Sequence, residues 1–189
     1  VQINRFCASG LEAVNMASAQ VMSGQSDMAI GGGVESMSRV PMFSSGGAWM
    51  VDPDVAFKTY FVPQGISADL VATKYGFSRD DVDAYSVESQ KRAKAAWDSG
   101  HFAAEITPIM IKSRKGEEEF AYDEHMRPDT TLEALSGLRP YFKKDGLVTA
   151  GNASGIGDGA ASALVADADW ADQHGIEPLG RIVSWGFAG

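Results

Sequence analysis

Immediately after Gly10, Leu11, Val14, Val21 and Met22 recur at helical spacing with Ser18, and Gly24 follows where a C′ residue belongs. This pattern predicts a buried, alanine-rich helix. Residues 27–33 read as an interior strand, whose Gly31, Gly32 and Gly33 allow another backbone to come close. Residues 1–6 also read as a strand, so the chain opens strand, turn, helix, strand. From Arg39 the periodicity lapses through Pro41, Ser44, Gly46, Gly47 and Pro53, which marks an excursion from the sheet. Helical spacing returns at residues 65–75, stopped by Gly76. Ser78-Arg79-Asp80-Asp81 is a capping-box start for a longer helix ended by Gly100. It places Val82, Tyr85, Ser89, Ala93 and Ala96 on one face and Glu88, Lys91, Arg92 and Lys94 largely elsewhere, as a solvated face. Ile106, Ile109 and Ile111 with residues 117–122 suggest a hairpin turning at Arg114-Lys115-Gly116. Leu132, Leu135 and Leu138 make a short helix capped from Thr130 or Thr131. The apolar run 160–166 returns the chain to the sheet, Asp167 caps a last helix ending at Gly175, and residues 180–186 read as a final strand.

These elements divide the chain into a core segment 1–38, a mainly helical insertion 39–148, a return to the core over 149–178, and a strand at 179–189. A long insertion between strands of one sheet commonly carries a lid or a ligand-binding arm. The length of 189 residues and 44% hydrophobic content suffice for a packed core. A formal charge of -9 argues against non-specific nucleic-acid binding, so any phosphate site must be local. One cysteine excludes an internal disulfide framework, and no apolar run has the length of a membrane span. A reducing, cytoplasmic setting fits best.

Chemistry concentrates at Cys7-Ala8-Ser9-Gly10. A turn from strand into helix leaves its residue at the sheet edge, beside unpaired N–H groups and the positive end of the helix. That setting favours a thiolate, and the same N–H groups stabilise an oxyanion formed by its attack. A lone cysteine is otherwise more often a small buried hydrophobe. A hydrolase built on an elbow turn is a competing reading, but Arg5 stands where that turn needs glycine. His101, His125 and His174 sit at helix ends or in a charged loop without metal-ligand spacing, and no metal is expected.

Three blocks, Cys7-Ala8-Ser9-Gly10, Ile30-Gly31-Gly32-Gly33-Val34-Glu35-Ser36-Met37-Ser38 and residues 149–159 (TAGNASGIGDG), occur in the order of the thiolase family, which the chain resembles from end to end. The resemblance implies an α/β thiolase-like fold, here partial, with the mixed sheet of the N-terminal core and a loop domain. It also implies that the chain is roughly the middle half of such a protein. Cys7 would then be the acyl-accepting nucleophile, and the activating His, a second Cys and an Asn that orders water would come from later in the chain. The implied activity is thiolytic cleavage of 3-ketoacyl-CoA, as in fatty acid β-oxidation. Condensation of two acetyl-CoA, or a non-catalytic acyl-CoA binding module, are the alternatives. Coenzyme A is implied as a substrate, with no tightly bound cofactor, and the intact protein as a homodimer or homotetramer. For coenzyme A the resemblance points to Arg127, Phe142, Ala150, Gly151 and Ser154. The chain departs from many biosynthetic relatives at Pro63-Gln64, where His-Met is common, and at Ala134, where a serine near the adenine is usual. Both departures lean towards the degradative type.

Overall fold

The computed structural model describes residues 1–187. Residues 6–8 form one turn of 3-10 helix, followed in chain order by α1 (Ser9–Met22), β1 (Met28–Ser36), α2 (Ala48–Val51), α3 (Pro53–Lys58), α4 (Gln64–Tyr75), α5 (Arg79–Asp98), β2 (Ile109–Ser113), β3 (Gly116–Phe120), α6 (Leu132–Ser136), β4 (Asp158–Ala166) and α7 (Ala168–Gln173). The chain divides into two compact units, one built from residues 1–44 and 156 onward, the other from residues 45–155.

In the first unit β1 and β4 pair antiparallel, from Met28 opposite Ala166 to Ser36 opposite Asp158, and α1 lies against both strands. Small residues set this packing. A Cβ at Gly31 would come within 2.7 Å of the Val14 Cα, and one at Gly32 within 2.7 Å of the Ala161 carbonyl oxygen. Helix and strand therefore meet backbone to backbone, over a layer of Asn15, Ala17, Ser18 and Val21. Gly24 (φ 72°) ends α1 in the left-handed conformation, as the sequence predicts. Asp167 caps α7 by accepting the Asp169 and Trp170 N–H groups.

One side-chain contact closes the open end of the pair. The Asp158 carboxylate accepts the Ser38 N–H at 2.8 Å and the Ser38 hydroxyl at 2.5 Å. The Ser38 hydroxyl, then its N–H, hold the Asp158 carboxyl below the ordinary aspartate range. Because the folded value lies below the unfolded one, the contribution to stability is complete above the ordinary aspartate range and is lost as pH falls through the folded value. We therefore expect hydrogen-exchange protection near Ser36 and Asp158 to drop selectively in acid. Ser38→Ala should reduce that acid sensitivity, since it removes the hydroxyl and keeps the N–H, and an unchanged profile in the variant would contradict the assignment.

The second unit is helical, with an antiparallel hairpin of β2 and β3 turning through Gly116 (φ 126°). The capping box at Ser78 and Asp81 is present, Gly76 (φ 72°) stops α4, and Thr131 caps α6. The core carries Ala72, Leu135 and Val148 with three buried polar residues, Asp69, Asp83 and Thr149.

Several sequence expectations change. Residues 1–5 and 180–187 form no strand, because a strand persists only where a neighbour supplies the other half of its hydrogen bonds, and β1 takes β4 alone among the described residues. Of the expected mixed sheet, the described residues carry this antiparallel pair and the hairpin. Leu11 and Met22 are exposed on α1, whose buried face is set by smaller residues. On α5, Tyr85 is 81% exposed, and the one buried residue is Asp83. The irregular stretch after Arg39 also contains α2 and α3. The second is capped by Asp52 with Pro53 in its first turn, a local signal readable in the sequence.

Candidate active site

Cys7 occupies the 3-10 turn that leads into α1, and it is exposed. The turn is tightly specified. The Ala8 N–H donates to the Arg5 carbonyl at 3.1 Å and the Ser9 N–H to the Phe6 carbonyl. The Ser9 hydroxyl accepts the Arg5 N–H and donates to the Phe6 carbonyl, each at 2.7 Å, while Asn4 Oδ1 accepts the Phe6 N–H at 3.0 Å. Phe6 is held at φ 52°, a left-handed conformation that costs a non-glycine residue energy and persists only when the surroundings enforce it. None of these bonds uses the Cys7 N–H, which has no acceptor among the described residues. The thiol and its own N–H thus stand open together at the start of a fourteen-residue helix. One residue can therefore offer a nucleophile and a donor to the oxygen of a group it attacked.

Arg5 braces the turn from the side through an ion pair with Glu12 at 3.2 Å and by lying 4.7 Å above the Phe187 ring. Of the histidines, His174 belongs to the same unit, and its Nδ1 lies 2.8 Å from the Trp170 carbonyl with the ring stacked on Trp170. His101 lies edge-on to Phe102, and a Cβ at Gly155 would overlap the His125 ring. Among the described residues no group of His, Cys, Asp or Glu could hold a metal ion.

The five other candidate residues lie in the second unit. Arg127 folds over its own loop, its Nη1 donating to the carbonyls of Glu124 at 2.7 Å and Met126 at 3.2 Å, while its N–H donates to Gln90 Oε1. Among the described residues Arg127 forms no ion pair with Asp123, Glu124 or another carboxylate. The Phe142 ring covers Gly65 in the first turn of α4, where a Cβ would overlap it. Pro63-Gln64 therefore lies one step along the chain from the residue Phe142 covers. Ala150 and Gly151 form the tip of a turn closed by Thr149 and Asn152, and a Cβ at Gly151 would come within 2.7 Å of Leu138 Cδ1. The Ala150 and Gly151 carbonyls accept no hydrogen bond among the described residues, and Ser154 is exposed and likewise unpaired.

Sequence reading missed the groups beneath this turn. Asn152 Oδ1 accepts the Thr149 N–H at 2.8 Å, and its Nδ2 donates to the Leu147 carbonyl and to Asp83 Oδ1, both at 2.9 Å. Asp83 Oδ2 in turn accepts Arg79 Nε at 2.7 Å. The available signal was the i,i+4 spacing of Arg79 and Asp83, which reads as an ordinary surface pair until burial is known.

A family model described as the thiolase N-terminal domain matches residues 1–169. The β-ketoadipyl-CoA thiolase of Pseudomonas aeruginosa is 42% identical, the alignment covering 100% of this chain and 51% of that protein. An acetyl-CoA acetyltransferase of Chromobacterium violaceum is 43% identical, over 99% of this chain and 51% of that protein. The solved structure of human mitochondrial 3-ketoacyl-CoA thiolase superposes with a TM-score of 0.79 and 38% identity, over 94% of this chain and 48% of that one. The chain spans about half the length of the curated relatives it matches.

Proposed function

The chain belongs to the thiolase family, and on that premise we propose that it carries the nucleophile and the coenzyme A arm of an acyltransferase acting on 3-ketoacyl-CoA. The observation that carries this reading is the exposed Cys7 thiol beside its own unpartnered N–H in an enforced turn. Cys7 attacks the 3-keto carbon, and the oxygen accepts the Cys7 N–H as it gains charge. The bond between C2 and C3 then breaks. The electron pair leaves on C2 of the acetyl-CoA fragment, which takes up a proton, and the shortened acyl group stays on sulfur. A second coenzyme A thiol attacks that thioester and frees Cys7. We take the base and acid for these transfers from residues later in the chain than 187, as the thiolase resemblance implies.

Coenzyme A lies along the second unit. The Ala150 and Gly151 backbone and Ser154 meet the pantetheine, Phe142 walls its channel, and Arg127 meets the phosphate and adenine end. Thiolysis is favoured over condensation by Pro63-Gln64 beside the Phe142 contact and by Ala134. The relatives' names cover both directions, β-ketoadipyl-CoA thiolase and acetyl-CoA acetyltransferase among them.

Initial rates on the intact protein test the reading. Varying 3-ketoacyl-CoA against coenzyme A should give the parallel reciprocal plots of a double-displacement reaction, with thiolysis faster than condensation of acetyl-CoA. Intersecting plots would contradict the covalent route. Arg127→Ala should weaken coenzyme A binding by about 1 to 3 kcal/mol, the worth of a hydrogen bond to a charged group. A pantetheine thioester lacking the nucleotide should lose little. Equal losses for both ligands would remove Arg127 from the nucleotide end.

A further inference from the structure

A carboxylate taken out of water must be paired and hydrogen-bonded, and a buried ion pair is seldom more stable than apolar residues of the same shape. Asp83 is 1% exposed, yet it sits in α5 amid residues that are otherwise partly or fully solvated. What its burial specifies is geometry. One carboxylate oxygen takes Arg79 Nε and the other takes Asn152 Nδ2. The Arg79 guanidinium continues to the carbonyls of Leu138, at 3.1 Å, and Leu135. Those two residues supply the side chains against which Gly151 lies. Asn152 ties the Leu147 carbonyl and the Thr149 N–H, so the turn carrying Ala150 and Gly151 is fixed from below and from the side by the same three side chains. A second buried aspartate, Asp69 of α4, holds the preceding stretch by accepting the Leu147 N–H at 2.6 Å and the Val148 N–H at 3.3 Å.

We propose that Arg79, Asp83 and Asn152 are positioning residues that hold the Ala150–Gly151 backbone, and the Leu135 and Leu138 wall beside it, in register for the pantetheine of coenzyme A. The inference rests on the reading of that turn as a coenzyme A contact. It assigns a role to two helix residues outside the turn, Arg79 and Asp83, neither of which need touch the ligand.

The test exploits donor and acceptor matching. Both neighbours of Asp83 are donors, so Asp83→Asn offers one oxygen for two N–H groups and turns its own NH2 against the other, leaving a buried donor unpaired. In Asp83→Asn with Asn152→Asp, the amide donates to the new carboxylate and its oxygen receives Arg79. The carboxylate still accepts the Thr149 N–H, but it faces the Leu147 carbonyl acceptor to acceptor, so recovery is incomplete. In the intact protein, Asp83→Asn should raise the Kd for coenzyme A about tenfold. The rate at which iodoacetamide alkylates Cys7, followed by mass mapping, should not change. The double exchange should recover at least half of the loss on a logarithmic scale. Arg79→Lys, at a partly exposed site, should weaken coenzyme A binding several-fold even if Asp83→Asn fails to fold.

Wild-type affinity in folded Asp83→Asn would overturn the inference and leave the coenzyme A reading intact. A variant whose coenzyme A affinity and Cys7 alkylation fall together would overturn it too, because general loosening moves both. Absence of coenzyme A binding by the wild-type protein would instead overturn the reading on which it rests.

Discussion

Replacing Cys7 with alanine should lower turnover of 3-ketoacyl-CoA by about 10⁴-fold or more while leaving coenzyme A affinity within about twofold of the wild type. The asymmetry follows from the division of the chain. The nucleophile belongs to the unit built on α1, β1 and β4, and the five residues assigned to coenzyme A belong to the helical unit. Alanine keeps the main-chain N–H and the neighbouring bonds of Ser9, Asn4 and Arg5, so the turn itself should survive. Cys7 is exposed, and trimming its sulfur opens no cavity. Steady-state kinetics beside a coenzyme A titration read both effects. Turnover persisting within tenfold of wild type would remove Cys7 from the chemistry.

Gly31→Val should have the next largest effect, although Gly31 carries no side chain and no chemistry. An added Cβ there meets the Val14 Cα at 2.7 Å, the Ala13 carbonyl oxygen at 2.8 Å and the Val14 nitrogen at 2.8 Å, all backbone atoms of α1. No side chain can rotate away, so the helix itself must lift from the strand. Overpacking of this kind costs about 3 kcal/mol. It also displaces the helix that begins two residues after Cys7, and a shift of about 1 Å at a reacting group can cost about 10²-fold in rate. Gly33→Ala is the matched control, because nothing lies within 4 Å of a Cβ at that position. Its stability and Cys7 alkylation rate should stay near wild type. Equal behaviour of the two variants in urea denaturation and alkylation would refute the backbone contact.

Local punctuation was the most legible part of the fold. Gly24, Gly76, Ser78, Thr131 and Asp167 act within one helical turn of themselves, and each ends or starts a helix where the residue type requires it. Long-range partners were not legible. A strand pattern at residues 180–186 states a preference for extended backbone, but only a neighbouring strand can satisfy it. The stripe of α5 held in part for the same reason: Val82, Ala93 and Ala96 are half-buried opposite the exposed Glu88, Lys91, Arg92 and Lys94, but Tyr85 and Ser89 are exposed, since a stripe is buried only where another surface covers it. At the site, the exposed thiol at the helix start was readable from Cys7-Ala8-Ser9-Gly10. The strain at Phe6 and the open Cys7 N–H were not, because both depend on three-dimensional closure by Asn4 and Ser9. The Asp83 and Asn152 pair joins residues 69 positions apart, and nothing local marks either as buried. The clamp of Ser38 and Asp158 likewise unites two sequence blocks 120 residues apart.

The measurement closest to the central claim is the mass of the Cys7 peptide after the intact protein is mixed with a 3-ketoacyl-CoA in the absence of free coenzyme A and quenched in acid. Cys7 should carry the shortened acyl group in near-stoichiometric amount, one acetyl-CoA should be released per acyl group bound, and added coenzyme A should clear the label. An unmodified Cys7 in a protein that still turns over would contradict that claim.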